Sequence, residues 1–532
     1  LVVLALLVIS NILKAASTWL TLRYHNNLHY LLARRLLARY LSQPYTFFLN
    51  RNTAELGKNI LTEARNVVTV VLSPATSVVS SSMIIVAVMT LLVVVDPAVA
   101  LAIAAMLSSV YGAVYIAARR RLGIIGWQQV QASADKYKAA GEGMSGIKDL
   151  KVLGREQTFL RRFSKAAMLH ARNNITAGVI AEMPRYALEI VAFGGILLVV
   201  LYFLSQGQEA ARMVPLLALY AFAGYRLMPA LQQLFASFAQ LRHGAAALEV
   251  LHKDLVAQPG EANDPEAGLA AAANAVPLPF ERELELRNLS FRYEGAAEPA
   301  LRNLDLVIEP NTSVGLVGPT GCGKTTTVDL ILGLLSPSEG HLLADGVEIT
   351  RDNLPGWRRN LGYVPQQIYI SDDTITRNIA FGIPDAEIDR DAVRRAAHIA
   401  NLDEFVENEL PQGYDTEIGE RGVRLSGGQR QRIGIARALY RDPAILVMDE
   451  ATSALDGITE ETVMDAVRTL SRKKTVILIA HRLTTVRECD VIYQMERGRI
   501  ITSGNFDELK RGSKWFRAAA GDIIDPESRT EV

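Results

Sequence analysis

Ser313-Val314-Gly315-Leu316-Val317-Gly318-Pro319-Thr320-Gly321-Cys322-Gly323-Lys324-Thr325-Thr326 is the stretch that decides the fold of the C-terminal half. Its first five residues read as a buried strand, and Asp329-Leu330-Ile331-Leu332 continues a helix beyond it. The loop between them fits G-x-x-x-x-G-K-T in the strand–loop–helix setting that gives this pattern its meaning. Glycines let backbone N–H groups turn inward around phosphate oxygens, and the helix N-terminus adds its positive end. Lys324 is expected to reach the β- and γ-phosphates of a nucleotide, and Thr325 to offer a hydroxyl to Mg²⁺. From Phe280 onward, short β-branched segments alternate with helical ones, so an α/β domain is expected over residues 280–520.

A second apolar strand, Ile445-Leu446-Val447-Met448, ends in Asp449-Glu450. A carboxylate at the end of a strand beside a phosphate loop is placed to hold the water shell of Mg²⁺, which assigns Asp449 to the metal. The next carboxylate, Glu450, is placed to polarise an attacking water. Phosphoryl transfer needs these parts because positioning and charge stabilisation do most of its catalysis. Between loop and strand lies Leu425-Ser426-Gly427-Gly428-Gln429, which opens another helix and so forms a second anion cradle.

These residues resemble the ATP-binding-cassette (ABC) superfamily, and the resemblance covers about 240 residues. It implies further roles. Tyr293 stands where the family stacks adenine. Gln366, in Tyr363-Val364-Pro365-Gln366, matches a glutamine that touches Mg²⁺ and senses the membrane domain. Asp456, in Ser453-Ala454-Leu455-Asp456, matches a loop crossing the dimer interface, and His481 a histidine that contacts the γ-phosphate. Thr416–Gly422 resembles the segment that exporters set against their intracellular loops. Gly318 to Thr326 with Tyr293 would bind ATP on one chain, while Ser426, Gly427, Gly428 and Gln429 would close over ATP held by a second copy. The resemblance implies a homodimer with two composite sites. Cys322 is expected to be filler within the phosphate loop, and its alkylation to block nucleotide entry.

Composition conceals the other half. The 532 residues hold 56 Lys+Arg and 56 Asp+Glu, yet residues 1–255 carry 25 against 12 and the remainder 31 against 44. A zero sum excludes a simple nucleic-acid-binding cation, and two cysteines exclude a disulfide scaffold. Asn66–Val95 has no charge in thirty residues and Pro97–Ala118 none in twenty-two. About 20 apolar residues cross a bilayer as a helix. Five spans are expected, at Leu1–Thr21, Val67–Val95, Ala98–Ala118, Ile175–Leu204 and Met213–Phe235. The loops Arg23–Asn66 and Arg119–Arg172 hold seven and twelve Lys/Arg, so they and the C-terminal half are assigned to the cytoplasm. A polytopic α-helical membrane domain over residues 1–255, a linker without periodicity over 256–279 and a disordered tail over 521–532 complete the expected organisation.

Spans and cassette on one chain resemble an ABC exporter half-transporter of the bacterial inner membrane. That family has six spans per half, so a first span is expected to be missing before Leu1. Gly146-Ile147-Lys148-Asp149-Leu150-Lys151 falls near where the family seats a coupling helix. Ionisable groups at membrane depth are costly and face a cavity or a partner. Arg185 and Arg226 are therefore candidate cavity residues for an anionic, amphipathic substrate, although Arg185 and Glu189 stand four apart and could simply pair. Pro184–Glu189 and Tyr225–Pro229 resemble segments of the bacterial lipid-linked oligosaccharide flippase, which implies a polyprenyl-pyrophosphate glycan. A multidrug or lipid A-type exporter is the alternative. A soluble cassette ATPase is excluded by the spans, and an ATP-gated channel is disfavoured by the intact motif set.

Overall fold

The computed structural model describes residues 1–532 except 96, 206–209, 257–263, 420–421, 423–424, 452–463, 466–471, 481 and 522–532. Asp456, His481 and the expected tail from 522 onward lie outside the described residues. The chain divides into two compact units, one of Leu1–Gln43 with Phe47–Leu269, the other of Pro44–Thr46 with Ala270–Val532.

The first unit is helical. Its main elements are α1 (Val2–Leu41), α2 (Ser73–Val95), α3 (Pro97–Ser145), α4 (Ile147–Leu153), α5 (Glu156–Ser205) and α6 (Ala210–Leu255). Among the described residues, the stretches Val2–Leu41 and Thr53–Val95 are long and apolar enough to cross a membrane. Apart from Leu1, each of the five expected spans is helical, and the helices run on beyond them. The 49 residues of α3 would reach about 74 Å at 1.5 Å per residue, against about 30 Å of hydrocarbon. The surplus carries the basic loops as helix. Pro97 opens α3, where its missing N–H costs nothing, and α2 ends two residues earlier at Val95. The Gly146–Lys151 stretch becomes the short helix α4, which Gly154 ends in a left-handed conformation at φ 61°.

Two features depart from what the sequence leads one to expect. The helix expected from Val67 already begins at Thr53, capped by Asn52, and passes through two π-helical stretches, Asn59–Glu63 and Val67–Leu72. A π turn closes i→i+5 rather than i→i+4, so it brings together residues five apart. Lys58 and Glu63 are such a pair, 3.4 Å apart with side chains 1% and 2% exposed, and Asn66 Nδ2 donates to Glu63 at 3.1 Å. The second departure lies in the linker, where Pro265–Ala273 forms helix α7 with Asp264 accepting from the N–H groups of Glu266 and Ala267. Its alanines favour helix without marking any face, so there was no period to find.

Among the described residues the second unit contains ten strands: β1 (Leu284–Phe291), β2 (Leu301–Ile308), β3 (Ser313–Val317), β4 (Glu339–Ala344), β5 (Val347–Glu348), β6 (Leu361–Val364), β7 (Ile445–Asp449), β8 (Thr475–Ile479), β9 (Val491–Glu496) and β10 (Arg499–Gly504). One sheet is antiparallel, in the order β2-β1-β4-β5. The other runs β10-β9-β3-β8-β7-β6, parallel except for the β9–β10 hairpin. Every residue of β3, β7 and β8 is buried, as expected of parallel strands covered on both faces. Register then fixes the site. Leu316 stands opposite Ile479, and Ile479 opposite Asp449, so the end of β3 and the end of β7 share one edge of the sheet.

The buried Lys58–Glu63 pair generates a prediction. Lys58→Ala leaves an uncompensated carboxylate and should cost about 3–5 kcal/mol, whereas Lys58→Met with Glu63→Leu should cost far less. Thermal unfolding in detergent measures both. Equal losses in the single and double variants would show that the ion pair does not set the stability of the π turn.

Candidate functional site

The loop after β3 wraps its own lysine. Gly318 and Gly323 adopt φ 149° and 109°, where side-chain-bearing residues are strained. A Cβ at Gly318 would stand 2.2 Å from Met495 O, and one at Gly323 2.6 Å from Leu301 Cδ2. Beyond Gly323 runs helix α8 (Lys324–Ile331). Lys324 is 5% exposed, and its Nζ donates to Gly318 O at 2.8 Å and Pro319 O at 3.2 Å. The ammonium is thereby held at the centre of the loop, where a phosphate would compete for it with two carbonyls. Thr320, Gly321 and Thr325 are exposed at the rim. Cys322 is 4% exposed with Sγ 3.8 Å from Lys324 Nζ, so a thiol reagent reaches it only through an opened loop. Thr326, buried in α8, shares a 3.2 Å hydrogen bond with the hydroxyl of Tyr293. Tyr293 packs edge-on against Phe291 at 4.9 Å and is half-buried at the margin.

The carboxylates come from β7. Asp449 is its last residue, 6% exposed, and Glu450 follows at φ 50°. That left-handed conformation is costly for a side-chain-bearing residue and is held from both sides. The Glu450 N–H donates to Ile479 O at 3.1 Å, and its carbonyl accepts from Gln431 Nε2 at 3.4 Å. The turn brings the Glu450 carboxylate to Gln366, whose Nε2 donates to Oε2 at 2.7 Å. Two residues expected from widely separated motifs thus meet. Thr325, Gln366 and Asp449 offer a hydroxyl, an amide and one carboxylate. This sparse all-oxygen set fits Mg²⁺, which keeps most of its waters, and a bound ion there would neutralise charge on phosphate oxygens.

Ser426 begins helix α9 (Gly427–Leu439) through a reciprocal capping box. Its hydroxyl accepts from the Gln429 N–H at 3.1 Å, and Gln429 Oε1 accepts from the Ser426 N–H at 2.8 Å. Gln429 is thus committed to the cap, leaving the first N–H groups of the helix, at Gly427 and Gly428, to face outward.

Two residues of this site escaped the sequence reading. Gln431, 2% exposed on α9, ties that helix to the backbone of Glu450. Asp329 lies on α8 near Asp449. Burial first, and the Asp449 charge second, push its carboxyl up to about 6. An acid one helical turn beyond the loop lysine was the available signal.

Arg185 and Arg226 belong to the other unit. Arg185 Nε binds Glu189 Oε1 at 3.0 Å, so the pairing left open by the sequence is present, and the arginine side chain is 52% exposed in the protomer. The Arg226 guanidinium sits 5.9 Å from the centre of the Phe222 ring. Among the described residues no hydrogen bond or ion pair joins the two arginines.

Comparison with known proteins adds to this geometry. Residues 1–202 match the ABC transporter transmembrane region, and residues 301–453 the ABC transporter family. The chain is 44% identical over 238 residues to the heterocyst differentiation ATP-binding protein HepA of Nostoc, a match covering 44% of this chain and 39% of that protein. It is 31% identical over 498 residues to the ATP-dependent lipid A-core flippase of Cupriavidus metallidurans, covering 93% of this chain and 82% of the flippase. A bacterial Atm1-family ABC exporter solved with ATP bound superposes with a TM-score of 0.81 at 26% identity, over 95% of this chain and 86% of that one. With a relative aligned over most of both lengths and the two family matches in the same order, this chain belongs to the ABC exporters, its transmembrane region first and its ATP-binding domain last.

Proposed function

We propose that this chain is one half of an ATP-driven exporter of the inner membrane. Two copies form a homodimer with two composite sites for ATP and Mg²⁺. Each ATP lies between the phosphate loop of one copy and the Ser426–Gln429 helix start of the other. The observation that carries this reading is the 2.7 Å Gln366–Glu450 contact at the sheet edge shared with the phosphate loop. Glu450 takes a proton from the attacking water and Lys324 neutralises the β- and γ-phosphates; Thr325, Gln366 and Asp449 would hold a Mg²⁺ ion, which would neutralise further charge on the phosphate oxygens. Asp456 and His481 complete the site as the family motif implies. Gln366, bonded to Glu450, links the state of the nucleotide to the segments that drive the spans.

The substrate we propose is an amphipathic phosphorylated glycolipid, and specifically a polyprenyl-pyrophosphate oligosaccharide turned out of the cytoplasmic leaflet. Support comes from Arg185 and Arg226, guanidinium groups carried within apolar helices, where a planar fork suits pyrophosphate. The Arg185–Glu189 pair would open as the substrate enters, exchanging one carboxylate partner for phosphate oxygens. A lipid A-core-type glycolipid is the second reading, favoured by the likeness to the Cupriavidus flippase. The two share phosphate and sugar and differ in the lipid.

Three measurements bear on this. Glu450→Gln should retain ATP and lower steady-state hydrolysis at least about 100-fold, the lower range for a lost general base; undiminished hydrolysis would remove Glu450 from catalysis. In proteoliposomes, Arg185→Ala with Arg226→Ala should abolish flipping of a labelled polyprenyl-pyrophosphate glycan while basal hydrolysis persists. Unchanged flipping sinks the cavity assignment, and transport of labelled lipid A alone selects the second reading. Asp329 supplies a pH test. Burial pushes its folded carboxyl up to about 6 from the ordinary 3.8, so its ionisation opposes folding increasingly between about pH 4 and pH 6 and by a constant amount above that. In Mg²⁺-free buffer, Asp329→Asn should raise the melting temperature at pH 7.5 and leave it nearly unchanged at pH 4. A uniform shift at both values would contradict the electrostatic account.

A further inference from the structure

Helices α3 and α5 flank an open recess of about 600 Å³ away from the Arg185 and Arg226 side chains. Its polar lining includes Arg120, Arg121, Arg172, Gln128 and Asn173, and it contains no carboxylate. Among the described residues none of the three arginines forms an ion pair, so three full positive charges converge on one recess. Position in the chain sets its depth. Arg120 and Arg121 come two and three residues after the uncharged run Pro97–Ala118, and Arg172 stands three before the expected span at Ile175. Both helices therefore pass the level of the cytoplasmic headgroups here.

An excess of arginine on a cytoplasmic loop is ordinary, and alone it would keep its charged heads in water. Asn173 is not ordinary. It is 6% exposed, lines this recess, and its buried Nδ2 has no hydrogen-bond partner. A buried donor without an acceptor is destabilising, and such groups in a native fold point to an unseen ligand, water or ion. Every charged group lining the recess is also a donor. The ligand must then be rich in acceptors and negatively charged. Arginine forks match the spacing of phosphate oxygens, which favours a phosphate over a carboxylate or halide. Ile124 and Leu169 form an apolar wall beside the arginines, suited to the glycerol and first methylenes of a lipid.

We propose that the α3–α5 recess binds the phosphate of an anionic phospholipid from the cytoplasmic leaflet, with Arg120, Arg121, Arg172 and Asn173 as its ligands. The site is separate from the substrate path of the preceding section and stands whatever the exported molecule is. An occupied recess clamps α3 to α5 at the membrane surface, so the lipid is a structural ligand that supports the transmembrane unit.

Native mass spectrometry of the full chain, released from detergent with phosphatidylglycerol or phosphatidylcholine, tests this directly. The wild type should retain phosphatidylglycerol in preference to phosphatidylcholine. Arg120→Gln with Arg172→Gln should lower that retention about thirtyfold, the effect of two surface charges. Asn173→Leu should lower it several-fold while holding or raising the melting temperature of lipid-free protein, which separates a ligand-binding amide from a structural one. Arg119→Gln removes the same charge one residue outside the recess and should change nothing. Equal retention in the recess variants, or an equal loss in Arg119→Gln, overturns the site. Displacement of the lipid by millimolar inorganic phosphate overturns the lipid assignment, because the recess would then recognise the free anion.

Discussion

Central parallel strands buried on both faces have no room for charge along their length, and this constraint organises the nucleotide half. In β3, β7 and β8 every side chain is packed, so charged chemistry is confined to where the strands stop. Leu316, Ile479 and Asp449 lie in one row, which makes the strands stop together. The phosphate loop leaves one of them and the carboxylates leave another, with a single strand between. Two strand spacings, about 10 Å, therefore separate a helix start that attracts anions from carboxylates that attract a metal. Neither group could be moved into the sheet without burying an unpaired charge.

The same exclusion of charge takes another form in the transmembrane half. Backbone groups in hydrocarbon must be satisfied internally, so the chain can only continue as helix until it leaves the lipid. Charged residues then collect at the exits or pair within the fold. Arg120, Arg121 and Arg172 flank the uncharged stretches expected to span, Arg185 is paired with Glu189, and Lys58 is paired with Glu63 through a π turn. The opposite charge balances of the two halves follow, +13 from 25 basic and 12 acidic residues against −13 from 31 and 44.

What could be read in advance was whatever leaves a periodic or compositional mark. Uncharged runs announced long helices, and G-x-x-x-x-G-K-T announced the loop because its glycines are required by backbone geometry, at φ 149° and 109° for Gly318 and Gly323. The π turns left no mark, since a single extra residue in a helix does not alter its composition. Helix α7 was hidden by alanine, which favours helix on every face. Asp329 and Gln431 were missed for a different reason. Their importance comes from a neighbour distant in sequence, Asp449 for one and Glu450 for the other, and neither neighbour can be located before the strands are in register. Arg185 was ambiguous in the sequence because an i,i+4 pair and a cavity residue are written identically.

Glu450 shows how the nucleotide site and its helix are joined. Its backbone holds a conformation that costs about 1–3 kcal/mol unless the surroundings enforce it. One support is Ile479 O on β8, and the other is Gln431 on α9. The carboxylate that meets Gln366 is thus aimed by a turn whose carbonyl is gripped by the same helix that Ser426 caps. The cap uses the N–H groups of Ser426 and Gln429, and the N–H groups of Gly427 and Gly428 cannot bond within the helix. In the proposed dimer they would receive the phosphate of the other copy. In that dimer a push or pull on the helix start would be transmitted along α9 to the Glu450 turn, and arrival of one copy's nucleotide would bear on the carboxylate proposed to hydrolyse the other's.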